Sequence, residues 1–497
     1  MVFGGFASEQ LAIRINHSKP KVVVTASCGV EPSKILPYKP LLDKAIEMSA
    51  WKPKAVVMHQ RPDLPKATMV PGRDFDWDEL VAHASAANCV PMLSTDPLYM
   101  IYTSGTTGTP KAIVRDTGGY CVALTWSLEN AFNLQPGDTF FAASDIGWVV
   151  GHSYIVYGPL LHGLTSILYE GKPTTPDAGA YWRVISEHQV NCFFTAPTAF
   201  RTIKREDPEG KLIAPYDMTS LKSIWVAGEH ADPNTIEWLQ SHFPSVPIVD
   251  NAWQTETGWP ITANPLGLEE HPVKPGSSCR PMSGYDLQVL REDGSNADAG
   301  ELGNLAIKLP LPPGTLPTLF NNDEGYIKSY LSRFPGYYNT GDAGMIDHEG
   351  YVYFMTRTDD IINVSGVRLS TGAVEEVLSE HPDVAECAVV GPNDELRGQV
   401  PVGLIVLKSN AAKKPEVVVK EVIESVRHRI GAVAYFRACA VVPHLPKTRS
   451  GKVLRKTIKQ IADGEHYTVP GTIDNISNLD TIKEALLTLG FPKPAKL

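Results

Sequence analysis

The first constraints come from what this chain lacks. No apolar run approaches the roughly 20 residues a helix needs to cross a bilayer. The opening Met-Val-Phe-Gly-Gly-Phe-Ala has no basic patch, apolar stretch and small-residue cleavage site in order, so it does not read as a secretory leader. The seven cysteines, at positions 28, 89, 121, 192, 279, 387 and 439, are odd in number and form no CxxC pair. That excludes a disulfide framework and a zinc ribbon, and it predicts a reduced, intracellular compartment. Positive charge is in deficit, with 45 Lys and Arg against 55 Asp and Glu and a net charge of -10, which argues against a nucleic-acid surface. Repeats and low-complexity linkers are also missing. What remains, 497 residues with 43% hydrophobic and 20% charged residues, is globular and long enough for two or more domains.

Along the chain, apolar strand-like runs alternate with helical patterns. Lys21–Thr25, a helical stretch over Leu41–Ser49 and Ala55–Met58 give βαβ grammar, and Asn191–Thr195 and Ser223–Ala227 repeat it. From Tyr285 to Tyr353 the runs are short and turn-punctuated, which predicts an antiparallel barrel-like part. After Arg357-Thr358-Asp359-Asp360 a fresh α+β unit begins, with helices over Thr371–Glu380 and Pro415–Ile430 and strands over Cys387–Val390 and Val402–Val406. The expected class is therefore α/β. A large domain of layered mixed and parallel sheets over 1–358 is followed by a smaller α+β domain over 359–497.

The most informative stretch is Tyr102-Thr-Ser-Gly-Thr-Thr-Gly-Thr-Pro-Lys111. Thr103, Ser104, Thr106 and Thr107 offer hydroxyl donors, Gly105 and Gly108 let the backbone approach an anion, and Lys111 adds charge. Apolar runs on both sides predict a strand-loop-strand cradle for phosphate rather than a Walker A loop, which needs a helix after its lysine. A plain Ser/Thr/Gly hairpin turn is the alternative.

Six further motifs follow in order: Ala227-Gly228-Glu229, Asp250–Gly258, Tyr338–Asp342, Arg357–Asp360, Asn363–Arg368 and Pro446–Lys452. Together with the loop they resemble the adenylate-forming superfamily, and more closely its short-chain acyl-CoA synthetases of the acetyl/propionyl-CoA synthetase type. The resemblance covers essentially the whole chain. It implies that a carboxylate attacks the α-phosphate of ATP to give an acyl-adenylate, and that the thiol of coenzyme A (CoA) then displaces AMP.

The resemblance assigns roles residue by residue. Thr103–Lys111 would hold the β- and γ-phosphates and Glu256 the Mg²⁺ that bridges them, a single carboxylate being enough for magnesium. Asp342 would accept the ribose hydroxyls. Gly228, Glu229 and His230, with Asp250, Asn251, Ala252, Trp253, Gln254 and Thr255, would wall the adenine pocket. The family usually has proline at His230 and often an aromatic at Ala252. Arg357 and Arg368 are the candidate nucleotide-contacting arginines. Lys452 is the expected catalytic residue for adenylation, brought to the α-phosphate by a small domain that rotates about Asp359. On the CoA side stand Val150, Thr174, Ser365, Gly366 and Arg427, with Arg429 a solvated neighbour. His381 matches a position associated with a structural cation, and a solvated helix-end histidine is the competing reading.

Trp253 takes the place of a tryptophan that closes the acyl tunnel in short-chain members, and Val149, Val150 and Ala227 complete the walls. Ala227 stands where acetate-preferring members tend to have valine, leaving room for about one methylene, or ~0.8 kcal/mol of burial. Propionate is thus expected first and acetate second. The expected partners are small molecules only, and the expected compartment is cytoplasm or mitochondrial matrix. The family also carries a segment ahead of Val2–Ala7, so the chain is expected to begin within the large domain, with exposed sheet edges. Two other readings stand beside the ligase: an impaired form that binds ATP only, and an adenylation module serving a carrier protein.

Overall fold

A computed structural model describes residues 2, 7–31, 34–103, 111–228, 231, 233–364, 367–431, 434–448, 451–470 and 473–492. The side chains of Asp359, Val367 and Arg368 are outside that description.

The first unit is a small parallel sheet of Val22–Ala26, Ala55–His59 and Asp74–Asp76. Helices Ser8–Ser18 and Tyr38–Met48 bury Ala12, Ile15, Leu42, Ala45 and Ile46 against Val56 and Met58. The second helix starts three residues before the expected Leu41. Pro40 falls in its first turn, where its missing N–H has no intrahelical partner to lose.

A five-stranded parallel sheet follows, in the order Ile248–Asp250, Ser223–Val226, Cys192–Thr195, Thr139–Ala142, Thr165–Ser166. Its central strands are apolar on both faces because both faces are covered. Phe141, Phe193 and Ile224 pack with helices Ala180–Glu187, Pro197–Glu206 and Pro233–His242 on one side. Phe140, Phe194 and Trp225 pack with Thr117–Trp126 on the other. Alternation between neighbours thus feeds two separate cores from one set of strands.

Next come four antiparallel strands, Asp286–Leu290, Gly303–Lys308, Tyr337–Ile346 and Val352–Arg357, as the turn-punctuated sequence predicts. Register shifts at Leu305/Ala306 and Ala343/Gly344 mark bulges, which bend the sheet into a half-barrel. A single turn of 3₁₀ helix, Thr358–Asp360, leads out of it.

Beyond that turn lie the hairpin Ile362–Val364/Val367–Leu369 and a sheet of Val384–Val390, Val402–Leu407 and Ala438–Val441. Helices Thr371–Ser379 and Pro415–Arg429 cover one face of that sheet. Arg455–Asp463 and Asn478–Thr488 cover the other. Among the described residues no helix is long and apolar enough to cross a membrane.

Candidate active site

The strands Pro97–Thr103 and Lys111–Asp116 pair antiparallel with Thr103 opposite Lys111, which is the expected strand-loop-strand frame. Ser104, Gly105, Thr106, Thr107 and Gly108 lie outside the described residues, as do Glu229, His230, Ser365 and Gly366. Lys111 makes no ion pair among the described residues. Its ammonium lies 4.8 Å from the centre of the Tyr330 ring. Desolvation lowers its pKa, Glu256 opposes that shift and Arg357 adds to it, so the lysine and the glutamate share one electrostatic field.

The segment after strand Ile248–Asp250 is fixed from several directions. The backbone and side-chain amides of Asn251 both donate to the Val226 carbonyl at 3.0 Å, tying the segment's start to the neighbouring strand. Ala252 bridges to Thr262. Gln254 Nε2 donates to the Thr340 carbonyl at 2.7 Å and to Asp342 Oδ2 at 2.5 Å, while Tyr338 donates to Gln254 Oε1 at 3.0 Å. Tyr330 donates to Glu256 Oε1 at 2.7 Å. The fully buried Arg115 donates to the carbonyls of Thr255, Glu256 and Gly314 from beneath. Gly258 closes the segment at φ +78°, and a Cβ there would meet the Arg115 guanidinium carbon at 2.8 Å.

Asp342 Oδ1 accepts from Arg357 at 2.8 Å. Burial raises its pKa against the pull of Arg357 and Gln254. With one protein donor on each oxygen, the carboxylate keeps lone pairs to spare. Lys452, 110 residues further on, enters the same field. Crowding lowers the pKa of its ammonium, Arg357 lowers it further, and Asp342 and Asp360 pull it back up. A tight turn sets its backbone, with Lys452 N–H donating to Thr448 Oγ1 at 3.1 Å and Thr448 N–H to the Lys452 carbonyl at 2.8 Å. Beside it, Gly451 lies against Thr198 of helix Pro197–Glu206, where a Cβ would meet a methyl at 3.5 Å. The C-terminal loop therefore touches the large parallel-sheet unit.

Asp250 ends its strand in a desolvated position, and the backbone hydrogen bond from Asn251 only partly offsets that, so its carboxyl is pushed up to about 8. An unfolded aspartate titrates near ~4. Between those values the folded chain holds a proton that the unfolded chain has released, so stability falls as pH rises through this window. Asp250→Asn is expected to raise Tm, with a margin small at about pH 5 and widest at about pH 8 and above; thermal melts at the two ends check this.

The expected acyl walls belong to one apolar cluster. Val149 and Ala227 are buried in it, and Val150 and Trp253 pack against it. The Trp253 ring lies edge-on to Tyr154 at 5.5 Å and 6.5 Å from Phe194, and its indole N–H is buried without a partner among the described residues. Thr174 sits in a turn and Arg427 is exposed in the last turn of Pro415–Arg429. Neither hydrogen-bonds to the Asp342 cluster among the described residues.

One expectation is corrected. His381 is not a solvated helix end, since its Nε2 lies 2.7 Å from Glu421 and its side chain is 8% exposed. Among the described residues there is no group of three or more His, Cys, Asp or Glu side chains able to hold a metal. Arg429 is exposed, as expected, and pairs at the surface with Glu380. Sequence reading also missed Arg115, Tyr330 and Tyr338 as parts of the site. A lone arginine inside the apolar run Ala112-Ile113-Val114-Arg115 was the one available signal; nothing local marks Tyr330.

The chain is similar to known proteins over nearly its whole length. The AMP-binding enzyme family profile matches residues 1–312, and that of the AMP-binding enzyme C-terminal domain matches residues 373–452. The chain is 50% identical over 488 residues to the Mus musculus protein named acyl-CoA synthetase short-chain family member 3, mitochondrial; the match spans 98% of this chain and 71% of that one. It is 44% identical over 495 residues to the propionate–CoA ligase of Escherichia coli K12, spanning 98% of this chain and 78% of the ligase. The solved acetoacetyl-CoA synthetase from Streptomyces lividans superposes with a TM-score of 0.85 at 24% identity, over 97% of this chain and 73% of that one, which supports the fold.

Proposed function

The chain belongs to the AMP-binding enzyme family, and from that membership we propose that it joins a short-chain carboxylate to coenzyme A with cleavage of ATP to AMP and pyrophosphate. In the first step a carboxylate oxygen attacks the α-phosphorus and pyrophosphate leaves. In the second the CoA sulfur, losing its proton, attacks the acyl carbon and AMP leaves. Negative charge grows on phosphate oxygens in both, so fixed donors and cations supply most of the acceleration.

Acyl-CoA synthetases of this family use ATP, magnesium and CoA. The residues present fit magnesium: Glu256 has one oxygen held by Tyr330, its Oε2 makes no hydrogen bond among the described residues, and magnesium asks for one or two carboxylates with the rest from phosphates and water. When bound, the ion draws charge from the β- and γ-phosphates. Thr103–Lys111 would cradle those phosphates, Asp342 would take the ribose, and Arg357, already fixed on Asp342, would face the α-phosphate together with Arg368. Residues 250–255, with Gly228, Glu229 and His230, would enclose the adenine, while Val150, Thr174, Ser365, Gly366 and Arg427 would serve the CoA.

The observation that carries this reading is the seating of Gly451, next to Lys452 in the C-terminal unit, against Thr198 of the large parallel-sheet unit, which leaves Lys452 in the electrostatic field of Asp342 and Arg357. We take the unit boundary at 358/359, with Asp359 as the hinge that alternates the two steps. An intracellular site of action fits both the reduced cysteines and the mitochondrial designation of the mouse relative. Exchange of labelled pyrophosphate into ATP, dependent on propionate, tests adenylation; CoA-dependent AMP release then separates the ligase from a module that serves a carrier protein. Exchange without any CoA product would overturn the ligase reading.

Acid preference follows from the walls. The small side chain of Ala227 favours propionate over acetate. Ala227→Val is expected to lower the propionate/acetate ratio of kcat/KM by roughly tenfold, and Trp253→Gly to admit longer acids, because one methylene in an apolar pocket is worth about 1–3 kcal/mol. Initial rates with acetate, propionate and butyrate measure both.

A further inference from the structure

Tyr330 and Tyr338 stack with ring centres 5.4 Å apart and planes 10° from parallel. Tyr330 lies in the π-helical turn Ile327–Leu331, and Gly336, at φ +85°, lets the chain double back so that Tyr338 enters the next strand beside it. The pair works as a fork. Tyr338 holds Gln254 and Tyr330 holds Glu256, two side chains on the same face of one segment.

The Tyr330 ring has a second occupant. Lys111 lies 4.8 Å from its centre while the hydroxyl of the same ring holds Glu256 at 2.7 Å, yet no Lys111–Glu256 ion pair forms among the described residues. An ammonium and a carboxylate held on one side chain would ordinarily close on each other. The hydroxyl fixes the carboxylate while the ring face offers the ammonium a separate resting place.

Resting on the function proposed above, we infer that Tyr330 is a positioning residue for the metal-nucleotide complex: it orients Glu256 toward the cation and keeps Lys111 from neutralising it. Groups that hold a metal-binding side chain from behind commonly set the affinity for the ion without touching it.

The test measures ATP affinity by calorimetry, with acid and CoA omitted, in EDTA and in a series of Mg²⁺ concentrations. For Tyr330→Phe the ring stays, so affinity in EDTA should match wild type, while the gain on adding Mg²⁺ should shrink roughly tenfold. Tyr330→Leu loses the ring as well and should weaken binding in both conditions, as Lys111 closes on Glu256. A purely structural tyrosine would move the two conditions together. In a Glu256→Gln background, Tyr330→Phe should have no further effect on the Mg²⁺-linked gain, which keeps the inference testable through the double variant. A Tyr330→Phe enzyme that gains as much from Mg²⁺ as wild type overturns the inference and leaves the function standing. Wild-type protein that binds no ATP in either condition overturns both.

Discussion

Replacing Lys452 by alanine is expected to slow adenylate formation by about two to three orders of magnitude while thioester formation from supplied propionyl-adenylate stays near the wild-type rate. The loop that carries the lysine rests on Thr198, and its ammonium lies in the electrostatic field of the Asp342–Arg357 pair, beside which the α-phosphate would lie. Negative charge on that phosphate peaks in the first step only, so the loss belongs to that step. Pyrophosphate exchange reads the first half-reaction and release of AMP from added adenylate and CoA reads the second. Equal losses in both would remove Lys452 from its assigned role.

The second large effect concerns a residue that sequence reading passed over. Arg115→Leu is expected to cost about 2 kcal/mol or more, because the carbonyls of Thr255 and Gly314 would be left without donors at about 1–3 kcal/mol each, while that of Glu256 keeps the Leu316 N–H at 2.9 Å. The same change frees the segment that presents Gln254 and Glu256, so ATP affinity should fall along with Tm. Arg115→Lys restores a charge but not the planar fork that reaches three carbonyls, and should recover only part of either property. Melting curves with and without ATP check both. Wild-type stability in Arg115→Leu would mean that water replaces the guanidinium at no cost.

Much of this architecture was legible from periodicity. Continuous apolar runs at Cys192–Thr195 and Ser223–Val226 gave buried parallel strands, and short runs broken by Asp-Gly and Glu-Gly turns gave the antiparallel half-barrel, because strand burial and turn chemistry are local properties. The phosphate hairpin was legible for the same reason. What stayed hidden depends on distant partners. Arg115 reads as an oddity in a strand until Thr255 and Gly314 are placed above it, and Tyr330 is one of several aromatic residues in its stretch until Glu256 lies 2.7 Å away. His381 failed differently: its local setting suggested solvent, and Glu421, on another helix, decided otherwise.

The spacing of the Arg115 contacts has a consequence for the chain during its synthesis. Its three carbonyl partners lie 140, 141 and 199 residues downstream. At about 5–20 residues per second, the guanidinium waits roughly 10–40 s before the last of them has been made. For that interval the strand Lys111–Asp116 carries a charge it cannot yet bury, so the hairpin that frames the phosphate loop cannot settle against its final neighbours until the chain has passed Gly314. The nucleotide site is thus a late product of translation, and a ribosome-bound chain stopped before that glycine would hold most of its parallel sheet and none of its ATP affinity.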